Sequence, residues 1–79
     1  MPCRVGITTN PQERRAFWES QVHGLRNWRI LAKYSTKKEA QDHETRHALS
    51  YNCKASGGGR DADGIWHVYK FEFTRSKQS

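Results

Sequence analysis

Apolar and polar residues alternate from Cys3 to Thr8, with Val5 and Ile7 set against Arg4 and Gly6, and this two-residue period predicts a strand. Gly6 inside it marks a close backbone approach or a bulge. Asn10-Pro11-Gln12-Glu13 then supplies a capping side chain, a proline at the first helical position and an acid in the first turn, which together start a helix. That helix is expected to run to about Val22, to bury Phe17, Trp18 and Val22, and to end at His23-Gly24. A second strand is predicted from Asn27 to Tyr34, with Trp28, Ile30, Ala32 and Tyr34 on one face and Arg29, Leu31 and Lys33 on the other.

Thr36-Lys37-Lys38-Glu39 has the pattern of a capping box, and the helix it opens carries Ala40, Glu44, His47, Ala48 and Tyr51 along one stripe. Asn52 to Gly64 reads as a loop holding Gly57-Gly58-Gly59 and the turn former Asp63-Gly64. Ile65 to Phe73 is the strongest strand in the chain, with Ile65, His67, Tyr69, Phe71 and Phe73 alternating against Trp66, Val68, Lys70 and Glu72. The order β-α-β-α-β predicts an α+β fold in two layers: a small three-stranded, mainly antiparallel sheet packed against two helices. Residues 1–74 form a single domain in this reading, and 75–79 a frayed tail.

Composition changes the picture in three ways. At 79 residues with 34% hydrophobic content, the core must rest on a few large side chains, and three Trp, three Tyr and three Phe provide them. Fourteen Lys and Arg against eight Asp and Glu leave a net charge of +6, which draws polyanions, nucleic acid first among them. Cys3 and Cys53 show neither a CxxC spacing nor a signal peptide beside them, so reduced thiols and a cytoplasmic location are expected. No apolar run approaches the roughly 20 residues of a membrane span.

The candidate chemistry begins with Glu44. Ala40 and Ala48 flank it at i−4 and i+4, so it sits where the helix should face the sheet, and a half-buried acid needs a cation or a metal. A small rotation of the helix would return it to water. Arg14 and Arg15 follow a strand and a tight turn, a place where a guanidinium can fork onto phosphate. His43 and His47 have a spacing permitted for zinc, with Cys53 close in sequence, although ordinary helix positions explain them as well. Gly57-Gly58-Gly59-Arg60 is either a phosphate-cradling loop or a flexible connector.

Val5-Gly6-Ile7-Thr8-Thr9-Asn10-Pro11-Gln12-Glu13-Arg14 resembles the second half-motif of GIY-YIG domains: a strand ending in (I/V)G, a short turn, and a helix whose Arg lies eight residues after the glycine. Glu39-Ala40-Gln41-Asp42-His43-Glu44 is similar to the later helix of that family, in which an EA pair precedes the metal-binding glutamate. The likeness covers about Arg4 to Tyr51. It implies that Glu44 holds Mg2+ on a scissile phosphate and that Arg14 stabilises the charge developing there. The family's tyrosine two positions before the glycine is Arg4 here, and Trp18 stands one turn after Arg14, where the family often has His or Tyr. No opening GIY strand precedes Arg4. Ile65 to Phe73 is the run available to replace it, and is expected to pair alongside Arg4 to Thr8, leaving that strand central. Tyr69, or His67 on the same face, would then supply the missing base; otherwise Tyr69 is a cross-strand aromatic.

The function expected on these grounds is DNA or RNA binding through Arg4, Arg14, Arg15, Lys37, Lys38 and Arg60. Arg14, Glu44 and Tyr69 are the catalytic candidates for a weak Mg2+-dependent endonuclease or an impaired relative of one. The alternative is a small accessory protein whose basic face docks an acidic protein partner.

Overall fold

A computed structural model describes residues 2–56 and 64–76. The first strand, β1 (Cys3–Thr8), leads into α1 (Pro11–Gln21), where the Asn10 side chain accepts from the Glu13 amide at 3.2 Å and Pro11 opens the first turn. A two-residue strand, β2 (Val22–His23), and a turn at Gly24 lead to β3 (Arg26–Tyr34). In α2 (Lys37–Tyr51) the Thr36 hydroxyl accepts from the Glu39 amide at 3.3 Å and donates to the Glu39 carboxylate at 2.8 Å, so the box closes on the side chain. Asn52, in the left-handed conformation, ends the helix with its amide bonded to the Ala48 carbonyl. The remaining strands are β4 (Lys54–Ala55), β5 (Trp66–Glu72) and β6 (Arg75–Ser76).

The class is α+β, and the main sheet has four strands in the order β3-β5-β1-β4. As expected, β5 pairs antiparallel with β1, from Cys3 opposite Glu72 to Thr8 opposite His67. It also pairs antiparallel with β3. The middle position among the three long strands therefore belongs to β5 and not to β1. The physical reason lies in its sequence, because Trp66 and Val68 are buried on one face and Tyr69, Phe71 and Phe73 on the other, which suits a strand covered on both sides.

These two faces belong to two cores. Val5, Ile7, Val68 and Trp66 meet Ala40 of α2, with Leu31, Ala32 and Tyr34 beside them. Tyr69, Phe71 and Phe73 pack with Val22, Leu25, Trp28 and Trp18, the last reaching in from α1. The simple alternation expected along β3 breaks because the pairing slips between Ile30 and Ala32. This irregularity sends Trp28 to one core and Ala32 and Tyr34 to the other, and leaves Ile30 exposed. Helix α1 buries none of its residues, so Phe17 is exposed rather than in the core.

Two sequence expectations about the chain ends are replaced. Cys3 and Cys53 form a disulfide, with their Cα atoms 4.9 Å apart. Fifty residues separate them, but α2 carries the chain back so that β4 runs parallel to β1, Arg4 opposite Lys54, and brings the thiols together. Spacing rules for local cysteine pairs do not detect such a return. At the other end, Arg75 and Ser76 do not fray; they pair with His23 and Val22, and the Thr74 amide donates to the His23 carbonyl at 2.8 Å.

Candidate functional site

Gly6 and Tyr69 are directly opposite in the β1–β5 ladder and share a face of the sheet. A Cβ on Gly6 would collide with the hydroxyl and Cζ of Tyr69, so the missing side chain is what lets the phenol lie across β1. Tyr69 is 1% exposed. The indole Nε1 of Trp18 donates to its oxygen at 2.8 Å, and Trp28 stacks on its ring with centroids 4.7 Å apart. The phenol is thus held between two indoles from different elements.

Charge surrounds this phenol. Burial raises its pKa above the ordinary value, the hydrogen bond from Trp18 and the guanidinium of Arg14 lower it, the carboxylate of Glu44 raises it, and Arg4 lowers it. Burial prevails, so Tyr69 keeps its proton at neutral pH. Arg14 and Glu44 come from different helices, and both bear on this one oxygen.

Each of the three charged neighbours is positioned by local structure. Glu44 is 2% exposed between Ala40 and Ala48, whose small side chains bring α2 close to the sheet. Arg14, in the second turn of α1, lies 5.0 Å from the centre of the exposed Phe17 ring. The Arg4 guanidinium lies 5.0 Å from the centre of the Trp18 ring and 6.0 Å from that of Phe73, and its Nη1 donates to Ser56 Oγ at 3.4 Å. Its Nε is enclosed without a hydrogen-bond partner among the described residues. Cation–π contacts of this kind hold a guanidinium in place while leaving its terminal nitrogens to other acceptors.

The other candidates lie apart from the phenol. Arg15 and Lys38 are exposed on α1 and α2, and Lys37 has its ammonium 5.8 Å from the centre of the Trp66 ring. Arg60 and the triglycine segment fall outside the described residues. His67 is half-buried, with Nδ1 3.3 Å from the Thr8 carbonyl. Zinc loses its third ligand because Cys53 is in the disulfide, and no group of three or more His, Cys, Asp or Glu gathers among the described residues. His43 instead meets the Tyr34 hydroxyl through Nδ1 at 2.8 Å.

Compared with known proteins, the chain matches no family model, no curated protein and no solved structure. No helix among the described residues is long and apolar enough to cross a membrane.

Two members of the site carry little signal in the sequence. Trp18 stands where the resemblance expects a proton acceptor, and its part is that of a donor, which is the chemistry indole allows. Trp28 carried no signal beyond its place on a strand; its stacking on Tyr69 depends on the register of β3 against β5.

Proposed function

We propose that the protein is a nucleic-acid-binding domain with a GIY-YIG-like core, in which β5 pairs with the matched strand β1 and Tyr69 brings the phenol that Arg4 does not supply. The observation that carries this reading is that Arg14 and Glu44, the two positions matched by the resemblance, both act electrostatically on Tyr69, which lies across Gly6 of the matched strand.

Mg2+ would have Glu44 as its one protein carboxylate, and because that side chain is 2% exposed it must open to water before an ion that keeps several waters can reach it. Bound there, the ion would supply Lewis-acid polarisation of a phosphate. Arg14 would neutralise phosphate charge, and Tyr69 would stay protonated while its oxygen accepts from Trp18. A phenol that keeps its proton is a poor base, so the proposed activity is binding first, with cleavage slow or absent.

The experiment is a titration of the protein with short single strands and duplexes of DNA and RNA at several salt concentrations. Binding should weaken steeply with added salt, and Arg14→Gln should weaken it further. Absence of binding at low salt, or binding indifferent to salt, overturns the reading. A Mg2+-dependent cleavage assay with Glu44→Gln as control separates binding from nuclease activity.

A further inference from the structure

The sheet end beyond Arg4 carries a second feature. A cavity of about 470 Å3 opens there, walled by the Cys3–Cys53 disulfide and Phe73 and lined by three cations, Arg4, Lys54 and Arg75. No Asp or Glu among the described residues lines it. Arg4 and Lys54 are register partners in the parallel β1–β4 pair, and Arg75 arrives from β6 through its pairing with His23. Like charges placed opposite one another across strands destabilise a sheet. Three of them converging on one hollow with no acid among its described lining residues describe an anion site, and oxygens of a phosphate group match guanidinium donors best.

We propose that this cavity binds a phosphate group of a nucleic-acid strand. The proposal rests on the nucleic-acid reading above. Arg4 links the two places, since it lines the cavity and its charge also acts on the Tyr69 phenol. The hollow is larger than a single phosphate needs, and its sulfur and Phe73 walls offer an apolar surface to the attached sugar or base. A strand lying along the end of β1 would place one phosphate against Arg4, Lys54 and Arg75. Free phosphate is the other source of the same chemistry.

Lys54 and Arg75 are exposed, so replacing them leaves the cores intact. Lys54→Gln/Arg75→Gln is compared with the charge-matched control Arg29→Gln/Arg46→Gln, both exposed and outside this cavity, in binding a single-stranded oligonucleotide across a salt series. In parallel, inorganic phosphate is titrated into the wild-type protein and followed by amide NMR. The expected result is a log–log salt slope shallower than the control's by roughly 0.7 for each phosphate that the variant no longer neutralises, and phosphate-induced shifts centred on Lys54 and Arg75. Equal slopes and affinities in the two double variants, with oligonucleotide bound, overturn the strand-phosphate assignment. Phosphate shifts centred there, in a protein that binds no oligonucleotide, overturn the nucleic-acid reading and assign the cavity to free phosphate. Phosphate shifts absent or centred elsewhere overturn the anion site itself.

Discussion

Tyr69 occupies the space that Gly6 leaves empty. The two are partners in the β1–β5 ladder, and the phenol crosses β1 at the single position where no Cβ obstructs it, to meet the indole nitrogen of Trp18 at 2.8 Å. Gly6→Ala would push the ring off this path. The expected cost is about 1–3 kcal/mol of stability, the range for overpacking a well-filled core. Because the closest atom is the hydroxyl oxygen, Tyr69→Phe should cost less in the Gly6→Ala background than in the wild type, which a double-mutant cycle by denaturant unfolding measures.

The raised pKa of Tyr69 predicts its own pH signature. Unfolded, the phenol titrates near 10.0; folded, burial holds it above that value against the opposing effects of Trp18 and Arg14. As pH rises past about 10 the unfolded chain ionises first, so stability should fall from there upward and should not depend on this group at neutral pH. Ultraviolet titration of the three tyrosines should show one phenol ionising late, and Tyr69→Phe should remove that one. A late phase that survives the substitution would assign the shift to another tyrosine.

A second titration belongs to His47 on α2. Burial lowers its pKa below 6.5, and the charges of Lys70 and His43 lower it further, while its ring stacks on Tyr51 at 4.3 Å. The native state thus resists protonating it, and stability present above pH 6.5 should decline as the pH falls through 6.5 toward the folded value. Lys70→Gln should move the His47 titration back toward 6.5, as followed by its ring proton shifts. An unchanged titration would remove Lys70 as a cause.

Loss of the disulfide should be felt in two ways. Cys3 and Cys53 close a loop of fifty residues, for which the chain-entropy model gives about 4 kcal/mol and measured cases more often about 2–4 kcal/mol. Reduction, or Cys53→Ser, should lower stability by that order. It should also release β4 before the rest of the sheet, seen as faster hydrogen exchange at the Ser56 amide, which donates to the Val5 carbonyl at 2.8 Å. Exchange at Ser56 that follows global unfolding under both conditions would show that β4 stands without the bond.

Sequence alone determined the parts of this protein that depend on neighbours along the chain. Asn10 and Thr36 cap helices where their side chains can reach an amide three residues on, so the starts of α1 and α2 follow from them. The alternation of β5 and its need for a partner were legible too, because they follow from a fixed repeat of side-chain direction, whereas packing of α2 on the sheet chose the buried position of Glu44 over the solvated one. Tertiary structure decided what depends on residues far apart. The slip between Ile30 and Ala32 assigned Trp28 and Tyr34 to different cores, against the even alternation of their sequence. The return of α2 joined Cys3 to Cys53, and the β1–β5 register put Tyr69 over Gly6 and within the fields of Arg14, Arg4 and Glu44. Local periodicity states which way a side chain points; which residue it meets there is set by strand order, register and crossover, and these emerge only when the whole chain has packed.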